Sequence, residues 1–115
     1  MLRVAGRQRG AGPPRGCAHR VLLGLIPSSA RAWPTALHLL RDAGGWLHVH
    51  ANKGEEEVEA FARAELPREL ARLAAEAGRP AAWRFNAAHV ERVKSFAPRV
   101  WHVVVDIHVT CAADG

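Results

Sequence analysis

Val21-Leu22-Leu23-Gly24-Leu25-Ile26 is apolar without alternation and stops at Pro27-Ser28-Ser29. A strand covered on both faces has this pattern, so the run predicts an internal strand of a parallel sheet. Ser28 or Ser29 then offers a helix N-cap and Pro34 suits a first turn. Trp33, Ala36, Leu37 and Leu40 recur at helical spacing until Gly44-Gly45 stops the helix. Trp46-Leu47-His48-Val49-His50 alternates like a strand and runs into Asn52-Lys53-Gly54, a turn signal. Strand, helix, strand in this order is a parallel crossover unit.

Glu55, Glu56, Glu57 and Glu59 place negative charge where a helix start favours it. Val58, Phe61, Ala62, Leu66, Leu70, Leu73 and Ala74 form the apolar stripe of a long helix that Pro67 kinks or divides and that Gly78 and Pro80 end. The last third predicts two strands, Ala82 to Val93 and Val100 to Val109, joined around Phe96-Ala97-Pro98-Arg99. So short a connection demands antiparallel pairing. In the final strand Trp101, Val103, Val105, Ile107 and Val109 make an apolar face, and His102, Val104, Asp106 and His108 a mixed one. The pattern is β-α-β-α-β-β, an α/β sheet ending in an antiparallel hairpin.

Composition narrows the function classes. With 115 residues, 49% hydrophobic and 23% charged, the chain has room for one domain and the makeup of a folded one. Residues 1–18 read as a basic Gly/Pro-rich unstructured leader, 19–111 as the domain and 112–115 as a tail. The net charge of +5 lies largely in the leader, where Arg3, Arg7, Arg9 and Arg15 stand without an acid, so charge alone argues weakly for nucleic acid. Glycines and prolines break any amphipathic targeting helix there. Cys17 and Cys111 form no close ligand pair, which fits a reducing, intracellular setting. The longest apolar run falls far short of the roughly 20 residues that a membrane helix needs.

Candidate chemistry is sparse. Ligands of an open α/β sheet gather beyond the carboxyl ends of parallel strands, here Pro27-Ser28-Ser29 and His50-Ala51-Asn52-Lys53. His48 and His50 share one side of a strand at a spacing that zinc or iron sites use. No tight second pair completes a set, so no metal site is expected. Neither a GxSxG elbow nor a GxGxxG loop occurs. Arg92, Lys94 and Arg99 gather near the hairpin turn as phosphate candidates.

Gly24-Leu25-Ile26-Pro27-Ser28-Ser29 with Trp33-Pro34, then Leu39-Leu40-Arg41-Asp42-Ala43-Gly44-Gly45-Trp46-Leu47-His48-Val49-His50, and finally Val93-Lys94-Ser95-Phe96-Ala97-Pro98 with His102 and Asp106, resemble the tRNA wybutosine-synthesising protein 2 family, relatives of tRNA guanine methyltransferases. The resemblance covers about residues 19–109. It implies the C-terminal half of a class I methyltransferase-like (Rossmann-like) sheet, from the fourth strand onward. It also implies transfer of the 3-amino-3-carboxypropyl group of S-adenosylmethionine to a modified guanine beside the anticodon of phenylalanine tRNA, in the cytoplasm. Ile26, Pro27, Ser28 and Ser29, with His48 and His50, would then wall the cofactor and base pocket, and no catalytic residue is assigned. His19 and Leu22 stand where the family has an Asp and an Asn. The glycine-rich loop and ribose-binding acid of the family have no counterpart in the chain. The expectation is therefore a piece of a transferase, inactive by itself, whose strand 21–26 presents a bare edge through which chains self-associate. The alternative is a noncatalytic α/β module that binds RNA through Arg92, Lys94, Arg99 and the leader.

Overall fold

The computed structural model describes residues 2–5, 18–23 and 32–112. Among them a five-stranded sheet runs in the order β1-β2-β3-β5-β4, with β1 Leu2–Ala5, β2 Arg20–Leu23, β3 Gly44–Gly54, β4 Trp83–Ala97 and β5 Val100–Cys111. β2 and β3 are parallel, β5 is inserted antiparallel between β3 and β4, and the β4–β5 hairpin is antiparallel as its short link requires. α1 spans Trp33–Leu39. A 3-10 turn at Glu55–Glu57 leads into α2, Val58–Ala60, a π-helical stretch Phe61–Glu65, and α3, Leu66–Glu76.

Pro67 stands where the helix divides, between the π-helical stretch and α3. The Leu66 N–H reaches back to the Phe61 carbonyl, a π-type bond, and Pro67 then falls in the first turn of α3, where its missing N–H costs least. At the start, the Glu57 carboxylate accepts the Gly54 N–H at 3.0 Å. The stripe Val58, Phe61, Ala62, Leu66, Leu70 and Ala74 is buried as its spacing requires.

Three local expectations change. First, the residue that precedes α1 is Ala32, with no side-chain cap, and Ser28 and Ser29, the expected caps, lie outside the described residues. Leu40 already has extended dihedrals and bridges Ala18, which ends α1 at Leu39, short of the Gly44-Gly45 stop. Second, Gly44-Gly45 is more than a helix stop. A Cβ on Gly44 (φ +95) would stand 2.1 Å from the Val109 carbonyl oxygen, and one on Gly45 would stand 2.2 Å from that of His19. Only glycine lets the backbone of β3 approach its two neighbours so closely. Third, β3 runs through Asn52-Lys53-Gly54, because β5 supplies partners as far as Gly54↔Val100.

Burial in β2 alternates, with Val21 and Leu23 buried and Arg20 and Leu22 half-buried, which corrects the expectation of a strand covered on both faces. Its core-facing side continues through Leu47, Val49 and Ala51 and through Val103, Val105, Ile107 and Val109, against Leu37, Leu66 and Leu70 of the helices. Since the described helices cover this face alone, the pleat leaves the opposite face half-buried. The edge of β2 that the sequence leaves bare is paired with β1 (Leu2↔Leu23 to Ala5↔Arg20). Self-association through that edge would first require β1 to leave. No described helix is long and apolar enough to cross a membrane.

Candidate functional site on the half-buried sheet face

Strand alternation and register bring the chain's polar aromatic residues together. Arg20, Trp46 and His108 are one row of partners across β2, β3 and β5, and Leu22, His48 and Asp106 are the next. His50 pairs with Val104, and Asn52 pairs with His102. With side chains alternating, all of these point away from the helices.

His48 is held on both sides. Its Nδ1 lies 2.7 Å from Asp106 Oδ1, and its Nε2 lies 2.7 Å from an Arg20 guanidinium nitrogen. A guanidinium only donates, so Nε2 accepts, and Nδ1 carries the proton given to Asp106. The result is a guanidinium–imidazole–carboxylate chain across three strands, with both ring nitrogens engaged. Neither is left as a base or metal ligand unless this chain opens.

His50 Nδ1 lies 2.9 Å from His102 Nε2, so one ring donates and the other accepts. Burial first, then the neighbouring His102 and His48, hold the His50 pKa below its ordinary value, with Asp106 pulling the other way. Trp46 is stacked against His108 with centroids 4.4 Å apart and planes at 12°. The Arg20 guanidinium lies 5.7 Å over the Trp46 ring. Asn52 Oδ1 is buried and accepts no hydrogen bond from the described residues.

The structure thus places His48 and His50 on the flat of the sheet, each tied to a β5 side chain. Ile26, Pro27, Ser28 and Ser29 lie outside the described residues. Among the described residues no group of three His, Cys, Asp or Glu is arranged to hold a metal. The basic turn is partly neutralised. Arg92 forks onto Glu55 at 2.9 and 3.3 Å, Arg99 reaches Glu56 at 3.6 Å, and the exposed Lys94 has no ion-pair partner among the described residues. The Arg92 hydrogen bond holds the Glu55 carboxyl below the usual range. Sequence reasoning singled out no role for Arg20 and missed it as the partner of His48. Nothing in the local pattern around residue 20 signals that role.

Comparison with known proteins decides the family. The tRNA wybutosine-synthesizing protein 2/3/4 of Arabidopsis thaliana is 42% identical over 94 residues, covering 82% of this chain and 9% of the relative. The tRNA wybutosine-synthesizing protein 2 of Saccharomyces cerevisiae is 35% identical over 97 residues, covering 76% of the chain and 21% of the relative. The chain belongs to the tRNA wybutosine-synthesising protein 2 family. M. jannaschii TYW2 in complex with AdoMet matches the fold at a TM-score of 0.65 and 26% identity, over 87% of this chain and 42% of that one. P. horikoshii TYW2 in complex with MeSAdo matches at 0.63 and 27%, over 86% of this chain and 34% of that one. The sheet is therefore the methyltransferase-like sheet of the family, and the chain spans less than a third of the length of these curated relatives. No family model matches.

Proposed function

We propose that the chain is the C-terminal part of a cytoplasmic tRNA-modifying transferase of wybutosine biosynthesis that uses S-adenosylmethionine. The reaction it serves is transfer of the 3-amino-3-carboxypropyl group to the modified guanine beside the anticodon of phenylalanine tRNA. One joint observation carries the reading: 42% identity over 94 residues to a wybutosine-synthesising protein coincides with a sheet that matches an AdoMet-bound relative at a TM-score of 0.65.

The residues present fit one wall of a cofactor site and not the whole of it. The carboxyl end of β3 carries the buried, unpartnered Asn52 Oδ1, an acceptor of the kind that a ligand's amino group satisfies. Ile26, Pro27, Ser28 and Ser29 follow the parallel partner β2 and belong to the same wall in this proposal. His48 and His50 lie on the adjoining sheet face and act by keeping β3 and β5 in register. The cofactor supplies an electrophilic carbon on a sulfonium, so this chain contributes positioning and exclusion of water rather than acid–base assistance. By itself the chain transfers nothing and binds the cofactor very weakly. The noncatalytic RNA-binding alternative finds less support, because Arg92 and Arg99 face Glu55 and Glu56.

The test is a chimaera in which residues 19–111 replace the matching segment of the S. cerevisiae relative. Nucleoside mass spectrometry of phenylalanine tRNA should find the aminocarboxypropylated guanine with the chimaera and none with this chain alone. A folded chimaera without product would overturn the reading, and turnover by the chain alone would overturn its dependence on a further half.

A further inference from the structure

A cleft of about 640 Å³ lies between α3 and the beginning of β4, away from the polar sheet face. Its volume falls within the usual range of small-ligand pockets. Trp83 pairs with Cys111 at the end of β5, and Gly44 at the start of β3 pairs with Thr110 beside it. The cleft therefore sits at the amino end of the parallel strands, opposite the end where sheet ligands gather, and it is no part of the cofactor wall.

Its chemistry is cationic and aromatic. Arg68, Arg79 and Arg84 line it with Trp83, Phe85 and the small alanines of α3, and no acid is among the described lining residues. Glu69 and Glu76, on the same helix, are both held by Arg72. Arg79 is the buried member, 7% exposed, with its guanidinium 4.8 Å over the Trp83 ring. It donates to the Leu40 carbonyl and meets Asp42 at 2.9 Å, but the Asp42 side chain is 80% exposed, and Arg79 Nε has no partner among the described residues. A buried cation opposed chiefly by a solvated carboxylate is under-compensated, and a nearby anion would improve its position. Trp83 is fixed by its indole N–H on the Asp42 carbonyl at 2.8 Å, and Phe85 stands edge-on to it at 6.0 Å and 84°. Arg68 and Arg84 are exposed at the rim, and a guanidinium presents a fork suited to phosphate.

We propose that this cleft binds a phosphorylated nucleoside unit of an RNA strand, with phosphate on Arg68 and Arg84 and the base against Phe85. A cationic rim combined with an aromatic wall is what a single-stranded nucleotide requires, the charge tracking the backbone and the ring taking the base. The choice of RNA over a free nucleotide rests on the proposed function, whereas the chemistry of the cleft does not.

The experiment follows the Trp83 indole N–H by nitrogen-15 NMR in the whole chain during titration with a single-stranded RNA octamer, 5′-AMP, inorganic phosphate or a polyglutamate peptide. The octamer should move this resonance. Arg68→Ala with Arg84→Ala should weaken its binding about tenfold and lower the salt slope by about one per arginine. The two Arg→Lys replacements should retain the slope, and melting curves of all variants should match the parent, since both residues are exposed. AMP binding as tightly as the octamer would make a free nucleotide the occupant and overturn the RNA assignment. Equal shifts with phosphate or polyglutamate would overturn the nucleoside assignment. RNA binding that leaves Trp83 unmoved and is indifferent to both arginines would overturn the cleft without touching the proposed function. Conversely, an inert chimaera alongside an RNA-dependent Trp83 shift would refute the proposed function alone.

Discussion

Asp106→Ala tests the cross-strand chain that organises the polar face. The substitution removes the acceptor 2.7 Å from His48 Nδ1, while Arg20 still donates to Nε2. A hydrogen bond to a charged acceptor contributes about 1.5–3 kcal/mol when well shielded. The side chains of His48 and Asp106 are 16% and 27% exposed, so solvent screens part of this. The expected loss is about 1–2 kcal/mol, or roughly 3–10 °C in Tm for a chain of this size. Urea unfolding followed by circular dichroism should show a lower midpoint at an unchanged slope. The decisive measurement is the cycle with His48→Ala. If the two residues act through their mutual bond, Asp106→Ala in the His48→Ala background should cost at least about 0.5 kcal/mol less than it does alone. Additive losses would refute the chain as a coupled unit, even if each substitution destabilised the fold.

Two further outcomes follow from the same geometry. Because the His50 pKa is lowered from 6.5 on folding, the unfolded chain takes up more protons below that value. The stability from this site should be complete above about pH 6.5 and decline as the pH falls towards the folded value. His50→Gln should flatten that part of the profile, and an unchanged profile in urea titrations from pH 8 to 5 would show that His50 does not control it. Gly44→Ala combines a positive φ with a Cβ 2.1 Å from the Val109 carbonyl. It should cost about 2–5 kcal/mol, and amide exchange should accelerate first at the β3–β5 pairing from Gly44↔Thr110 inward. Near-parental stability would mean that β3 and β5 are not packed this closely.

The sequence by itself determined the kinds of element from Arg20 onward, but it did not signal β1, Leu2–Ala5, within residues read as an unstructured leader. Helical spacing over Val58 to Ala74, alternation in Trp46 to His50 and the short link at Pro98-Arg99 each act through neighbouring residues, so a local pattern suffices to read them. The family was legible for the same reason, since its motifs are contiguous runs. What covers each strand was not legible. The apolar run beginning at Val21 implied cover on two faces, yet Arg20 and Leu22 are half-buried, because the described helices pack on one side. The polar network was equally hidden. Asp106 meets His48 across 58 positions, and Arg20 meets it across 28, only because β5 inserts beside β3 while β2 takes the other edge. Arg79 reaches Leu40 across 39 positions when α3 returns over the start of β3. Sheet order and register are collective properties of the packed chain, and one register shift would turn each of these side chains to the opposite face. Tertiary structure alone therefore decided which of the scattered histidines, arginines and acids became partners.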